Sequence, residues 1–212
     1  MQKTAAKSAS SNDTSQTILT EARHLFAKRG FEGVSINDVA QAAGVSKANI
    51  FHHFGSKDAL YLEVLKLSIN EFGALTDHLE PSQAPIEKRL PHFLLAHAGH
   101  FQQHPESARV VLRELLENRT HVSQQLAEQA AGAQFARLFG LLRDAQQAGE
   151  IRTDMDAAAL ALMMIGVDVF MFQARDMLRH LPEIDFADNP GHYSHLLANI
   201  LLHGITPGEK EQ

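Results

Sequence analysis

Apolar residues recur at intervals of three and four along almost the whole chain, and strict alternation is nearly absent. Between about Asp13 and Arg29, for example, Ile18, Ala22, Leu25 and Phe26 share one face. A chain patterned this way buries stripes of helices rather than faces of sheets, so the expected fold is all-α. Its 212 residues suffice for one large or two small domains. Local signals punctuate the helices. Lys28 and Arg29 suit the negative end of the first, and Gly30 suits a left-handed cap. Ser35, with Asp38 three residues on, predicts an N-capped helix INDVAQAA that stops at Gly44. Ser46 caps KANIFHHF, and Ser56 starts a helix that continues to about Leu79. After EPSQAP, further helices are expected over 86–104, 105–118, 121–147, 154–181 and 192–204, with Pro105 as a first helical residue.

The corner between the second and third helices narrows the reading. Ala40 is small, Gly44 follows four residues later, and Val39, Val45 and Ile50 can lock two helices at a steep angle. This is the grammar of a helix-turn-helix. If the third helix packs through Ile50, Phe51 and Phe54, then Lys47, Ala48, Asn49, His52 and His53 face away or lie at its rim. Amide, ammonium and imidazole groups there suit base edges in a major groove. Lys57 and the free amides opening the next helix suit a phosphate.

Charge agrees with contact at the front. Residues 1–60 hold seven Lys or Arg against five Asp or Glu, whereas 61–212 hold twelve against twenty. Cysteine is absent, which excludes disulfides, thiol catalysis and thiolate metal ligands. MQKTAAKSASSNDTSQ has no apolar core, so no secretory signal is read there and a cytoplasmic protein is expected. Residues 1–12 read as a disordered arm, with Lys3 and Lys7 as secondary candidates for a DNA groove. The apolar run 157–174 contains Asp168 and is better explained by burial on two sides than by a membrane. No glycine-rich phosphate loop, no Gly-x-Ser-x-Gly elbow and no convergent acid, base or nucleophile set is found. Neither catalysis nor a cofactor is therefore expected.

The stretch ILTEARHLFAKRGFEGVSINDVAQAAGVSKANIFHHFGSKDALYLEVL, within residues 17–65, resembles the DNA-binding domain of TetR-family transcriptional regulators. The resemblance covers about a quarter of the chain, and the helical remainder fits the family's ligand-binding and dimerising domain. It implies a three-helix DNA-binding domain over 13–55, a ligand-binding and dimerisation domain over 56–206, and a flexible tail at 207–212. It implies that Ser35 and Asn37 touch phosphate or base. Lys47, Ala48, Asn49 and His52 would then hold recognition positions, and His53 and Lys57 phosphate-contacting ones. Phe51 stands where the family commonly has Tyr, so one backbone hydroxyl contact is missing. The implied function is a repressor that binds a palindromic operator as a homodimer and is released by a small ligand.

The body is less specific. The helix over 154–181 is apolar almost all round, and a helix in a monomer of this size needs only one buried stripe. Burial on two sides implies a second copy of the chain. Leu162, Ile165, Asp168, Val169 and Phe172, with Leu196, Leu197, Ile200 and Leu201 of the last helix, are the expected four-helix interface. Asp168 is expected to meet an Arg or His across that interface or, as the alternative, a cationic ligand. Phe93, Phe101, Phe135, Phe139, Met163 and Met164 are candidates for an apolar pocket, with His97 and His100 as polar anchors, so the effector is expected to be mostly apolar. His97, His100 and His104 share a helical face, but no acid or thiol lies between them, and no metal is expected. The rival readings are an all-helical enzyme or metal-binding protein, and an architectural or cell-division role for the DNA-binding domain.

Overall fold

The computed structural model describes the backbone of residues 2–80, 84–117 and 119–205. All regular structure among them is helical: α1 (Gln2–Arg29), α2 (Ile36–Ala42), α3 (Lys47–Phe54), α4 (Lys57–Gly73), a 3-10 segment (Ala74–Leu79), α5 (Ile86–Gln103), α6 (Pro105–Glu117), α7 (Thr120–Leu126), a π segment (Ala127–Ala131), α8 (Gly132–Gln147), α9 (Ala157–Leu178) and α10 (Pro190–Ile205). The all-α expectation agrees with this. Boundaries differ in places. α1 extends back to Gln2 through a run of helix-tolerant Ala, Lys and Ser, and among its described side chains the first buried one is Ile18. The helix expected over 121–147 is divided by the π segment, and the one expected to reach Leu79 tightens to 3-10 after Gly73. The tail 207–212 lies outside the described residues.

The chain forms two compact units, residues 1–70 with 105–131 and residues 71–104 with 132–212. In the first, Ile18, Ala22, Phe26, Val39, Ile50, Leu60 and Leu65 form a continuous core. Tyr61 meets Phe26 and Phe31 edge-on, with ring centroids 4.9 and 5.0 Å apart, a geometry that aligns positive ring edges with negative faces. The Arg119 guanidinium lies 4.2 Å over Phe31 and 4.7 Å over Tyr61 and pairs with the buried carboxylate of Glu114. Burial, reinforced by the Glu114 charge, pushes the Tyr61 hydroxyl well above its ordinary pKa. α6 also holds α1 directly, through Arg23 to Ser107 at 3.1 Å and His24 to Glu106 at 2.6 Å.

In the second unit α5 packs against α9, α10 and the 3-10 segment, around Leu90, Phe93, Leu94, Leu138, Leu142, Leu160, Met164 and Tyr193. Arg89 secures the turn before α5: it donates to the carbonyls of Ala84 and Leu79 at 3.0 and 2.6 Å and pairs with Glu150. α9 turns one stripe inward, Ala157, Leu160, Ala161, Met164 and Asp168, at the three- and four-residue spacing of a single face. Asp168 is 2% exposed. It accepts a 2.5 Å hydrogen bond from His97 Nδ1 on α5 and a 2.7 Å bond from the Tyr193 hydroxyl on α10. The expected Arg or His across a dimer is therefore not what Asp168 meets. Its partners are in its own chain, because the stripe that carries it is the one α5 and α10 cover. Burial and the adjacent Asp168 charge hold the Tyr193 hydroxyl well above its ordinary pKa.

His100 sits one turn on from His97, edge-on to Phe72 at 4.4 Å and stacked on His104 at 4.4 Å, with Nε2 lacking a partner. Burial, with repulsion from His104 and His97 and partial compensation by Glu71, depresses its pKa to about 4.

Two measurements test these assignments. Gly44 turns the α2–α3 corner at φ 65°, and nothing lies within 4 Å of where a Cβ would be. Gly44→Ala should therefore cost only left-handed backbone strain, about 1–2 kcal/mol in denaturant unfolding; a much larger loss would mean the corner is crowded. His100 takes up its proton in the unfolded chain near 6.5 but in the folded chain only near 4. Its contribution to stability is present above pH 6.5 and is lost as pH falls towards 4. His100→Phe should keep the ring packing and flatten that fall in a series of denaturant midpoints between these pH values.

Candidate nucleic-acid interface

Residues 35–57 form the corner that the sequence singles out. Ser35 caps α2: its hydroxyl accepts from Asp38 N at 3.1 Å, while its own amide donates to Asp38 Oδ2 at 2.7 Å. The Ser35 hydroxyl and amide, with Arg29 nearby, hold the Asp38 carboxyl below the usual carboxylate range. The chain then turns back with the Val45 amide bonded to the Ala40 carbonyl at 3.0 Å. Ser46 caps α3 by accepting from Asn49 N at 3.1 Å. Val39, Ala40 and Ile50 are buried at the contact between the two helices, as Ala40's small side chain permits.

With Ile50 turned inward, Lys47, Ala48 and His52 are exposed, and Asn49 and His53 are partly so. Ser35 and Asn37 are also exposed, at the start of α2. Phe51 departs from its expected place. It is 42% exposed rather than packed in the corner, because only Ile50 and the partly buried Phe54 turn towards the core. The Lys47 ammonium lies 5.8 Å over the Phe51 ring. Lys57 Nζ is seated 4.0 Å over Phe31, which anchors its stem while leaving the residue partly exposed. Ser35, Lys47, Phe51 and Lys57 line one open concavity, together with Glu32, Gly33 and Val34 at the end of the α1–α2 connection. Sequence reasoning missed these last three, which have no periodic or motif signal. Lys3 and Lys7 belong to residues whose side chains lie outside the description.

Of the pocket candidates, Phe93, His97, Phe101 and Met164 are buried around the α5–α9 contact, with Phe93 stacked on His97 at 5.5 Å. Phe135 and Phe139 pair on α8 at 5.7 Å, and Phe139 packs against the same core as Phe93 and Met164. Met163 is 44% exposed and belongs to the outer side of α9, contrary to its expected place in a pocket. One cleft lies between α5, α9 and α10 and includes Phe101, Asp168, Met171, Phe172, Arg175, Phe186 and Tyr193. Only Phe101 of the pocket candidates lines it. Among the described residues no three potential metal ligands converge. His97 points to Asp168 and His100 stacks on His104.

The expected dimer residues divide by side. Leu162 and Ile200 are exposed, and Ile165, Val169, Phe172 and Leu196 are partly so. Leu197 and Leu201, at 8% and 3% exposure, are core residues of the single chain, as Asp168 is. α10 needs them to cover α5, so they are not free to face another molecule. Met163, Phe170 and Met177, seven residues apart along α9, form an exposed apolar line that sequence reasoning assigned elsewhere or passed over.

Residues 18–64 match the model of bacterial regulatory proteins of the tetR family, and residues 87–200 match a tetracyclin repressor-like C-terminal domain. The chain is 24% identical over 206 residues to the HTH-type transcriptional repressor NicS of Pseudomonas putida, covering 96% of this chain and 97% of that one. It is 47% identical over 47 residues to the HTH-type transcriptional repressor AcnR of Corynebacterium jeikeium, covering 22% and 25% of the two chains. The fold is shared with the fatty acid degradation regulator FadR of Bacillus halodurans, with a TM-score of 0.74 at 18% identity over 90% of this chain and 95% of that one. The second match alone spans more than half of the sequence, and together the two take in both the α2–α3 corner and the helical body. The chain belongs to the TetR family of helix-turn-helix transcriptional regulators.

Proposed function

We propose that this protein is a cytoplasmic, non-enzymatic repressor that binds a palindromic operator as a homodimer and leaves it when a small, mostly apolar effector binds. The observation that carries the reading is the division of α3. Ile50 is fully buried, while Lys47, Ala48 and His52 are exposed beside the partly exposed Asn49. A capped helix anchored on one side and polar on the other can enter a major groove without unfolding anything. Asn49 is the base reader, since an amide both donates and accepts towards adenine. Lys57, His53, Ser35 and Asn37 hold the phosphate backbone. Repression follows the named activity of NicS and AcnR.

The homodimer reading rests on the outer side of α9. Leu162, Phe170 and Met177 there are each more than half exposed, as is Ile200 on α10. By length and composition α9 could also cross a membrane, but its inner stripe is committed to the core. A second copy of the chain is the proposed cover for the outer side, giving four helices at the interface. Two recognition helices would then lie about one DNA turn apart, roughly 34–36 Å. The effector acts by favouring the arrangement that does not fit the operator, and weakens DNA binding only by its differential affinity for the two arrangements.

Selection of fragments from the organism's own DNA, followed by fluorescence anisotropy at low salt, tests the reading. Binding should disappear in the Lys47→Glu, Asn49→Ala double variant; binding that survives it removes α3 from the interface. On the selected site, Lys57→Ala should weaken all sequences alike and lower the salt slope by roughly one unit. Asn49→Ala should re-rank a base-substitution series, with differences of about 1–3 kcal/mol. An unchanged ranking would take base reading away from Asn49. Phe170→Glu with Ile200→Glu should yield folded monomers in sedimentation that bind the operator weakly. An unchanged dimer would place the interface elsewhere.

A further inference from the structure

The cleft between α5, α9 and α10 has a composition that selects a ligand. Its walls are Phe101, Met171, Phe172 and Phe186, with Tyr193 and Asp168 at its polar end and Gln102 and Arg175 among the remaining lining. Asp168 accepts one hydrogen bond on each oxygen, from His97 and from Tyr193. A carboxylate offers about four lone-pair sites, so each oxygen retains capacity for one more donor. Arg175 is the opposing charge, but it is engaged away from Asp168: Nη2 pairs with Asp188 at 2.8 Å, and Nε donates to the Ala187 carbonyl at 3.2 Å. Its side chain is 37% exposed, so solvent screens it, whereas the Asp168 side chain is fully covered. His97 compensates Asp168 only when protonated, so beside a neutral His97 the preference inside the cleft is for positive charge. Aromatic rings, whose faces are negative, reinforce it.

Size sets the remaining condition. The cleft encloses about 30 Å³, room for about one water molecule. Phe186 and Ala187 of the α9–α10 connection line it with Pro190 at the start of α10, and Phe186 stacks on Tyr193 at 6.1 Å. Phe101, Phe172 and Tyr193 line the same cleft as Phe186 and Asp168. We propose that this cleft is the effector site, that it opens at Phe186, and that it takes a small aromatic ammonium whose N–H groups bond Asp168 while its ring replaces that of Phe186. The proposal rests on the reading of the protein as an effector-released regulator and supplies the chemical class of the effector.

Three near-isosteric probes decide it: phenethylammonium, 2-phenylethanol and 3-phenylpropanoate, titrated into the full-length protein with 13C-methyl methionine. The Met171 signal, assigned with Met171→Leu, reports occupancy of the cleft. The expected order is ammonium, then alcohol, then carboxylate, with about tenfold or more between the first and last. Carboxylate first, equal binding of all three, or an unmoved Met171 signal would overturn the proposal. Asp168→Asn should remove the ammonium preference and leave the alcohol unchanged; a retained preference would remove Asp168 as the anchor. Should that variant fail to fold, Phe186→Ala leaves the Asp168 network intact. It should tighten ammonium binding several-fold, and unchanged or weaker binding would refute opening at Phe186. Operator binding is measured separately without probe. Intact DNA binding with no probe response counts against this cleft alone, whereas a protein that selects no DNA refutes the regulator reading.

Discussion

A carboxylate in the middle of an apolar helix needs donors wherever the chain folds, and Asp168 obtains them from two other helices. His97 and Tyr193 reach it from α5 and α10, so one buried group specifies the mutual register of three elements. Leucine and methionine contacts could tolerate sliding by a fraction of a turn, because apolar packing has no direction. The hydrogen bonds to Asp168 do not tolerate it. The packing of Met164 beneath and the exposure of Phe170 above follow from the same choice of which face of α9 turns inward. Leaving either donor out would strand a charge in a medium that solvates it poorly.

The first unit solves a different problem. Its task is to leave polar groups free without losing the helix that carries them. The two caps do this by satisfying backbone amides locally: Ser35 and Asp38 serve α2, and Ser46 serves α3. Side chains further along are then left exposed for the proposed operator contact. Lys57 has its cation placed over Phe31 and so would lose less freedom in the proposed phosphate contact. Phe51 adds apolar surface beside Lys47 where the family commonly has a hydroxyl.

α9 serves two roles through its helical period. Residues 160, 161, 164 and 168 face inward, while 163, 170 and 177 face outward. Ligand-dependent regulation requires an element whose position matters to more than one contact. A helix with core on one side and a proposed subunit interface on the other meets that condition.

Local and periodic information determined much of this protein. The all-α class, the caps at Ser35 and Ser46, the turn at Gly44, and Lys47, Ala48 and His52 as exposed residues could all be read from the sequence, because each depends on neighbours within four or five residues. The need of Asp168 for a partner was equally plain from its apolar surroundings. Its partners were not, because His97 is 71 residues away and Tyr193 is 25. On α9, apolar nearly all round, periodicity cannot say whether Met163 faces the core, and on α10 it marks Leu197 and Leu201 as apolar without saying whether α5 or another molecule covers them. Phe51 was misplaced for a related reason: an aromatic on a short helix can fall to either side of the packing boundary. Tertiary structure decided those orientations, because a face becomes inner or outer only when other elements cover it.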